Sequence, residues 1–402
     1  MPQNWKTYKL EEIISKLGDG LHGTPKYSEN GEYAFINGNN LTNGNIIIKE
    51  DTKRVNYEQY LKYKKELNNR TLLVSINGTI GNVAYYNGEK VMLGKSACYF
   101  NLNENVDKDF VRHVISSNHF KNYLETNATG SVIKNVSLKS MREFPIKLPL
   151  LQEQRAIASI LSALDDKIEL NLQMNKTMED MAMALYKHWF VDFGPSQSGE
   201  FVDSELGMIP KGWEVKRLPE ISINHNKFRK PISTRERAKI SGIYPYYGAT
   251  KVLDYLSDFN FDGEYILLAE DGTVKTHDDK PYLQFVRGQF CVSNHAHVIT
   301  GNEDYSNEFL FLSLSNKNVI PIITGAVQLK INKQNLESLE FIVPSKSILK
   351  LFEELIIPFY NKMDALETEN QTLTTLRDTL LPKLISGEVR VKDIKQTIAE
   401  VL

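Results

Sequence analysis

The sequence predicts an α+β fold with an internal pseudo-two-fold repeat, in which two mixed domains are each followed by a long coiled-coil helix. Thr129-Gly130 recurs as Thr324-Gly325, and from there the two halves match at a constant offset of 195 residues. Downstream of Pro149, apolar residues step alternately by four and three, which is the heptad pattern of a coiled coil. Because both heptad helices lie in one chain at a gap-free offset, we expect them to pack antiparallel against each other.

The heptad seam defines the first helix and, through the offset, the second. Its apolar members are Ile157, Leu161, Leu164, Ile168, Met178, Ala182, Leu185 and Trp189. Polar Asn171 and Asn175 fill the middle places, and the second copy keeps the asparagine as Asn370. A buried asparagine can fix the register of a coiled coil at some cost in stability. We therefore interpret Asn175 and Asn370 as register residues rather than catalytic groups.

The remaining sequence predicts two mixed domains rich in polar loops. Runs such as 71–76 and 265–268 have the composition of short strands, and 307–315 has that of a helix. Trp5 and Trp213 begin the two copies. The predicted boundaries are a first domain at 1–150, a central helical region at 151–194, a linker at 195–212, a second domain at 213–344 and a C-terminal helical region at 345–402.

Composition limits the class of protein. The 402 residues are 41% hydrophobic, which supports packed cores. The two cysteines are far apart, and the sequence contains neither a signal peptide nor an apolar run long enough to span a bilayer, so we expect a cytoplasmic protein without membrane attachment. The net charge of −2 argues weakly against nucleic acid as a partner, but basic residues exceed acidic ones in 1–150 and cluster at 227–230.

The sequence lacks complete motifs of the common enzyme classes. The segment 88–96 resembles a phosphate loop with the wrong glycine spacing, and the sequence has no Gly-x-Gly-x-x-Gly or His-Glu-x-x-His. Glu214-Val215-Lys216 resembles the end of a nuclease metal site, but this tripeptide is common by chance and suits a strand start beside Trp213. His295 and His297 alternate along a predicted strand, which favours local hydrogen bonds over a shared metal. We therefore predict a non-catalytic chain without a metal or cofactor of its own.

Several loops have the composition of a nucleic-acid interface. In the loop 18–27, glycine permits close approach to a backbone, and the hydroxyl, imidazole and lysine suit polar contact with DNA; an ordinary tight turn is the alternative. The basic run at 227–230 suits phosphate positioning, with a solvated loop as the alternative. The residues selected as DNA contacts are Gly20, His22, Thr24, Lys26, Asn77, Lys95, Thr129, Lys227, Arg229, Lys230, Tyr247, Thr250, Lys251, Asp271, His295 and Thr324.

The first helix carries more apolar surface than one seam buries. Met183, Tyr186 and Phe190 form a second stripe beside Leu185 and Trp189. Either this stripe docks a partner protein, or it packs against the chain's own domains. The sequence leaves both interpretations open.

Several segments of the chain recur, in the same order, in one known family. They include Leu148-Pro-Leu-Leu-Gln-Glu-Gln-Arg-Ala-Ile157, Trp189-Phe-Val-Asp-Phe193, Gly207-Met-Ile-Pro-Lys-Gly-Trp213, Pro245-Tyr-Tyr-Gly-Ala-Thr250, Asn294-His-Ala-His-Val298 and Leu380-Leu-Pro-Lys-Leu-Ile-Ser-Gly387. On these segments, the chain resembles the specificity subunit of type I restriction-modification systems over essentially its whole length.

The resemblance implies a division of labour. Each mixed domain is expected to be a target-recognition domain that reads one half of a bipartite site on double-stranded DNA. The paired helices are expected to set the distance between the halves and to dock two modification subunits. S-adenosylmethionine is expected on those subunits, and ATP and Mg²⁺ on the partner subunits, including the restriction (motor-nuclease) subunits. Because the two domains differ in their loops, the site is expected to be asymmetric.

Two other classes of protein remain as alternatives. A helical adaptor that only assembles partner subunits needs the same seam, but it does not need two divergent, loop-rich domains. A self-sufficient restriction enzyme needs methyltransferase and nuclease motifs that this sequence lacks.

Overall fold

The computed structural model describes residues 5–42, 44–130 and 133–391, and the chain divides into two compact units. Unit 1 comprises residues 1–170 and 369–402, and unit 2 comprises residues 171–368. Each unit thus holds one mixed domain and part of both long helices. This division differs from the predicted one, in which the helices formed regions of their own.

The described residues of unit 1 form three main sheets and four short α-helices besides the long ones. Its strands are Lys6–Lys9 (β1), Ile14–Asp19 (β2), Tyr33–Ile36 (β3), Leu41–Thr42 (β4), Asn45–Ile46 (β5), Arg54–Val55 (β6), Thr71–Ser75 (β7), Val83–Tyr85 (β8), Val91–Leu93 (β9), Ala97–Leu102 (β10) and Pro145–Leu148 (β11). Its short helices are Tyr57–Tyr63 (α1), Lys108–Ser116 (α2), Asn118–Asn127 (α3) and Leu138–Arg142 (α4). The sheet orders are β2-β10-β7-β8, β6-β3-β9 and β1-β11.

The core of unit 1 lies between its four-stranded sheet and helices α2 and α3. Every residue of β7 and β10 is buried, as expected for short apolar runs at the centre of a sheet. Asp107 caps α2 by accepting a hydrogen bond from the backbone N–H of Phe110, and the Phe110 ring then packs into the core. The cap therefore fixes where the helix begins and which face it buries.

The first long helix, α5, runs from Leu151 to Phe190. In unit 1 it lies against the second long helix: Asn370 Nδ2 donates a hydrogen bond to the Ile168 carbonyl at 3.4 Å, and the Arg377 guanidinium contacts the Asp165 carboxylate at 3.1 Å. Because residue numbers rise along one helix as they fall along the other, the helices run antiparallel, as predicted.

Unit 2 is built around a six-stranded sheet. Its strands are Phe201–Ser204 (β12), Gly207–Pro210 (β13), Glu214–Arg217 (β14), Ser222–Asn224 (β15), Ser241–Tyr247 (β16), Val252–Leu256 (β17), Phe261–Ala269 (β18), Leu283–Val292 (β19), Ala296–Gly301 (β20) and Glu340–Val343 (β21). Its helices, besides its part of α5, are Leu218–Ile221 (α6), Thr234–Arg237 (α7), Asn307–Ser315 (α8), Lys333–Glu337 (α9) and the second long helix Lys346–Ser386 (α10), which is shared with unit 1. The large sheet has the order β15-β20-β18-β19-β16-β17.

The two units repeat the same connections. In unit 2 β16 pairs in parallel with β19, and in unit 1 β3 pairs in parallel with β9. Strands β14 and β21 pair as β1 and β11 do. The internal repeat predicted from the sequence is therefore a repeat of architecture.

The segment 195–212, predicted as a linker, is ordered within unit 2. Strands β12 and β13 form an antiparallel hairpin, and Ile209 is buried in the core of the unit. The Phe193 ring packs against Phe201 and Trp213, with centroids 5.8 and 5.4 Å apart. These apolar side chains anchor the segment, which the glycine and serine content of 194–199 does not reveal.

In unit 2 the long helices also run antiparallel. Asn175 Nδ2 donates to the Met363 carbonyl at 3.4 Å, and Trp189 lies against Phe352 with ring centroids 5.6 Å apart. The Asn175 bond is the counterpart, at the offset of 195, of the Asn370 bond in unit 1. Both asparagines thus reach across the helix pair, and their role in fixing the register stays a prediction.

The second apolar stripe on α5 packs inside unit 2. Tyr186 is 7% and Phe190 is 3% exposed, and Met183 packs against the same core. The Phe190 ring lies 5.3 Å from Phe309 on α8 and 4.6 Å from Phe352 on α10, measured between centroids. The interpretation of this stripe as a docking surface is therefore wrong, because the mixed domain itself covers it.

Within the described residues, the helices include none with the length and apolar character needed to cross a membrane.

Candidate nucleic-acid interface

Backbone hydrogen bonds gather several loops of unit 1 along one edge, which we call rim 1 and define by residues 20–22, 76–78, 94–96, 129–130 and 133–135. The Leu21 N–H donates to the Leu93 carbonyl at 2.8 Å, and the Ile76 N–H donates to the Ser96 carbonyl at 3.0 Å. The Gly78 N–H donates to the Lys134 carbonyl at 3.0 Å. Loops far apart in sequence therefore meet at one place.

Rim 1 brings together five of the residues selected from the sequence. They are Gly20, His22, Asn77, Lys95 and Thr129. Thr24 and Lys26 lie further along the first loop and are exposed.

Gly20 has a steric role in rim 1. A Cβ at this position would lie 2.1 Å from the Leu93 carbonyl oxygen, so only glycine permits the two loops to approach. His22, exposed at the next turn, contacts the Asp19 carboxylate at 2.5 Å. The first loop is thus a tight turn that carries exposed polar groups, and its contact with DNA stays a prediction.

The polar side chains of rim 1 that make contacts within it are largely neutral. Asn77 Nδ2 donates to Asn135 Oδ1 at 3.2 Å. Ser96 Oγ accepts from the Gly38 N–H and donates to Asn37 Oδ1. Lys95 is exposed beside them. Rim 1 therefore presents amide and hydroxyl groups, with the exposed lysines Lys95 and Lys134 beside them.

The same frame of hydrogen bonds occurs in unit 2. We define rim 2 by residues 229–230, 247–248, 270–272, 293–295 and 324–330. The Lys230 N–H donates to the Val292 carbonyl at 3.0 Å and the Glu270 N–H to the His295 carbonyl at 2.8 Å, which are the counterparts of the Leu21 and Ile76 bonds. By this correspondence Asp271 takes the place of Asn77, and His295 takes the place of Ser96.

Charged side chains occupy rim 2. The Arg229 guanidinium contacts the Glu270 carboxylate at 2.7 Å and donates to the Ala296 carbonyl at 2.8 Å. Lys330 contacts the same carboxylate at 3.3 Å. Burial acts to raise the pKa of Glu270, but hydrogen bonds and charges from Arg229 and its neighbours outweigh burial and hold that pKa below its usual value. Arg229, selected as a phosphate contact, is thus bonded within the rim.

His297 supports rim 2 from inside the unit. Its Nε2 donates to the Ile331 carbonyl at 2.7 Å, and its Nδ1 accepts from the Asn226 side-chain amide at 2.9 Å. Burial lowers the pKa of His297, which favours the neutral ring that this pattern requires. The expected local hydrogen bonding is therefore what the structure shows for this histidine.

Asp271 and His295 form the outward pair of rim 2. His295 Nδ1 lies 2.7 Å from Asp271 Oδ1, and the His295 side chain is 48% exposed. Asp271 bridges to Lys330 through the backbone, and the Gly272 N–H donates to the Leu329 carbonyl at 2.9 Å. This pair can accept and donate hydrogen bonds at the surface.

The other selected residues of unit 2 surround this rim. Lys227 lies over the Phe228 ring, 4.8 Å from its centroid, and Lys230 contacts Asp258 at 3.5 Å in solvent. Tyr247 is partly buried against Phe290. Thr250 and Lys251 occupy the turn after β16, and Thr324 closes the hairpin of the rim.

Sequence inspection missed Glu270 and Asn226, which organise rim 2. The signal available was an acidic residue directly after an apolar strand, at the position where the first copy has Ile76. A carboxylate that is partly withdrawn from water is stabilised by a nearby cation, which here is Arg229. The basic run at 227–230 supplied it.

The tripeptide Glu214-Val215-Lys216 lies in β14, which pairs with β21. Its Lys216 ammonium contacts Glu214 at 3.3 Å. Among the residues that the structure describes, no group of three or more His, Cys, Asp or Glu side chains is placed to hold a metal ion.

The chain is an internally duplicated protein with one rim of loops on each copy. Comparison with known proteins identifies its family. The family described as the type I restriction modification DNA specificity domain matches residues 2–180 and again 210–375. The chain therefore belongs to the type I restriction-modification specificity family.

Individual relatives match most of the length of the chain. The MjaIX specificity subunit of a type I restriction enzyme from Methanocaldococcus jannaschii is 28% identical over 98% of this chain and 95% of its own length. The HindI specificity subunit from Haemophilus influenzae is 23% identical over 70% of this chain and 77% of its own length. The crystal structure of a type I S subunit from M. genitalium shares the fold, with a TM-score of 0.57, 18% identity, and coverage of 95% of this chain and 96% of that one.

Proposed function

We propose that this chain is the non-catalytic DNA-reading subunit of a type I restriction-modification complex, in which each rim reads one half of a bipartite, asymmetric site on double-stranded DNA. The observation that carries the proposal is the repeated frame of backbone hydrogen bonds with different side chains attached to it. The Ile76–Ser96 bond of rim 1 and the Glu270–His295 bond of rim 2 are equivalent, while the side chains beside them differ in charge. A constant frame with variable chemistry suits two recognition surfaces with different targets.

Rim 1 has the chemistry to read adenine. The side-chain amide of asparagine pairs with the adenine N6 and N7 in the major groove. Asn77 and Asn135 already contact each other at 3.2 Å, which restricts their rotamers and leaves further donor and acceptor capacity on both amides. We assign base contact in this half to Asn77 and Asn135, and phosphate contact to Lys95.

Rim 2 has the chemistry to read an exocyclic amine. A carboxylate accepts a hydrogen bond from the cytosine N4 amine, and Asp271 is oriented for this by His295. The exposed ammonium groups of Lys227 and Lys230 are suited to neighbouring phosphates. Because Arg229 is engaged by Glu270, we assign it the support of this rim rather than direct DNA contact.

The partners follow from the family resemblance. Two modification subunits are proposed to dock on the long helices and to bring S-adenosylmethionine, and restriction subunits to bring ATP and Mg²⁺. The net charge of −2 gives the chain little electrostatic attraction to DNA. We therefore expect weak binding by the chain alone and specific, strongly salt-dependent binding in the complex with the modification subunits.

A domain exchange tests the proposal. Residues 213–344 are replaced by the matching domain of a relative, and methylated adenines are mapped in DNA from cells that carry the complete system. One half of the target is expected to change while the other half and the spacing remain. A change in both halves would contradict the modular assignment, and assembly without any sequence preference would favour a helical adaptor.

A helix insertion tests the spacing separately. Four residues inserted near Asn171 lengthen the helix by about 6 Å, close to two base pairs. The half-sites are expected to stay the same while their separation changes, provided that the rotated seam still assembles. A folded insertion variant with the original spacing would overturn the spacer role of the helices.

A further inference from the structure

A short hairpin at 324–330 is closed at its base by backbone hydrogen bonds and forms one edge of rim 2. The Thr324 N–H donates to the Lys330 carbonyl at 2.8 Å, and the Lys330 N–H returns a bond to the Thr324 carbonyl at 2.8 Å. Gly325 has φ +88°, and a Cβ there would lie 2.2 Å from the Gln328 carbonyl oxygen. Only glycine fits this position of the turn.

The described residues of unit 1 form the same turn. The Thr129 N–H donates to the Asn135 carbonyl at 2.9 Å, and the Asn135 N–H donates to the Thr129 carbonyl at 2.8 Å. Gly130 has φ +95°, and a Cβ there would lie 2.3 Å from the Ile133 carbonyl oxygen. The threonine-glycine turn is therefore retained where the base-reading side chains of the two rims differ.

The tip of the hairpin in unit 2 is apolar and fully open to solvent. Val327 is completely exposed. Within the described part of the chain, the backbone N–H groups of Ala326 and Val327 donate no hydrogen bond to other protein groups. The hairpin is bonded directly to the loop that carries Asp271, since the Gly272 N–H donates to the Leu329 carbonyl. A solvent-exposed tip thus lies next to the loop whose side chains are assigned to base contact.

The base of this hairpin, with its threonine, its glycine and its paired backbone bonds, is the same in the described residues of both domains. A base shared by two domains with different targets is suited to hold an element that contacts what all DNA sequences share. Deoxyribose rings and phosphates are that common part: sugars offer apolar faces, and phosphates accept hydrogen bonds from backbone N–H groups. We propose that the hairpin 324–330 contacts the DNA sugar–phosphate backbone independently of sequence, with Val327 against a deoxyribose and the free N–H groups at the tip facing a phosphate. The inference rests on the proposed function, because it places DNA at rim 2.

Opposite charges at position 327 test this inference in the complex with the modification subunits. Kd is measured for Val327→Asp and Val327→Lys on a duplex with the mapped target and on one with that target scrambled. Val327→Asp is expected to weaken binding to both duplexes by the same factor, about tenfold, and to lower the salt slope by about one. Val327→Lys is expected to tighten binding to both duplexes and to raise the slope, because a cation near a phosphate releases one more counterion.

Met208, exposed on the β12–β13 hairpin, gives matched controls. Met208→Asp and Met208→Lys make the same charge changes elsewhere in unit 2 and are expected to leave Kd within twofold of the unmodified complex. Equal Kd values for the two Val327 variants would overturn the inference, as would an altered base preference. Failure of the proposed function has a different signature, since the unmodified complex would then bind target and scrambled duplexes equally.

Discussion

The two units attach their mixed domains to the long helices with different chemistry. In unit 1, Asp165 on α5 contacts Arg112 on α2 at 2.8 Å and Arg377 on α10 at 3.1 Å. In unit 2, the position equivalent to Asp165 is Tyr360, whose ring lies 6.3 Å from Phe311 on α8. An ionic junction in one copy thus corresponds to an aromatic junction in the other.

The two rims also differ, but here the ion pair lies in unit 2 and the neutral contacts lie in unit 1. The side-chain contacts at the centre of rim 1 join neutral groups such as Asn77 and Asn135, whereas rim 2 is organised by the partly buried contact between Arg229 and Glu270. The backbone frame is the same in both rims. The repeat therefore preserves the positions where backbone segments meet, and each copy satisfies its buried groups in its own way, by ion pairs or by apolar packing.

The packing of Phe190 on α5 against α8 and α10 predicts the largest difference between the units. Phe190→Ala removes a ring that contacts Phe309 and Phe352 and is expected to cost about 4 kcal/mol of unfolding free energy. The equivalent change in unit 1, Ile385→Ala, is expected to cost about 2 kcal/mol, because Ile385 is only partly buried. Urea unfolding of the full chain measures both. Equal losses of unfolding free energy for the two variants would show that Phe190 and Ile385 stabilise their units to the same extent.

The charged rim predicts the next largest effect. Glu270→Gln leaves Arg229 and Lys330 without their carboxylate and is expected to cost about 3 kcal/mol. At the equivalent position of rim 1, Ile76→Val removes one methylene and is expected to cost about 1 kcal/mol. Thermal unfolding compares the two variants. A loss below that of Ile76→Val would mean that solvent already screens the rim 2 charges.

The ionic junction makes unit 1 sensitive to acid. Burial, aided by Arg112, lowers the pKa of His113 to about 3, so the folded state stays neutral where the unfolded chain takes up a proton near pH 6.5. Burial acts to raise the pKa of Asp165, but Arg112 outweighs it and holds that pKa below its usual value. Both groups therefore favour folding less as pH falls.

His113→Leu, which introduces the residue found at the equivalent Leu312, isolates the histidine contribution. The unmodified chain is expected to lose about 2 kcal/mol more than this variant between pH 6.5 and pH 4. Unfolding midpoints across that range provide the measurement. As a control, Asp180→Asn alters an exposed pair with Lys176 and is expected to leave the pH profile unchanged. Parallel pH profiles for the histidine variant and the unmodified chain would show that His113 does not contribute to the acid sensitivity of unit 1.

Substitution of the helix asparagines is expected to change the unfolding free energy least, and by the same amount in both units. Asn175 and Asn370 make equivalent cross-helix bonds, so Asn175→Leu and Asn370→Leu are each expected to raise the unfolding free energy by about 1 kcal/mol while loosening the register. Denaturant unfolding tests the stability, and cysteine cross-linking between the helices tests the register. Destabilisation with an unchanged cross-linking pattern would contradict a register role.

Much of this architecture was predictable because it follows from local periodicity and from the repeat. The heptad seam predicted the antiparallel helices, and the Thr129-Gly130 and Thr324-Gly325 matches predicted equivalent positions. Polar and basic loop composition also predicts Asn77, Lys95 and His22 as surface residues, and all three lie on rim 1. Asp271 and His295 were likewise selected, but nothing local indicated that their side chains bond to each other.

The sequence by itself determined the elements, because the heptad period, the glycine that a turn requires and the apolar runs of strands are set by backbone geometry over a few residues. Only the tertiary structure decided which surfaces meet. Periodicity showed that Tyr186 and Phe190 form an apolar stripe, but not that α8 covers it. Composition showed that 227–230 is basic, but not that Glu270 engages Arg229. These outcomes depend on contacts between residues that are distant in sequence, and a side chain's own segment does not encode its partner.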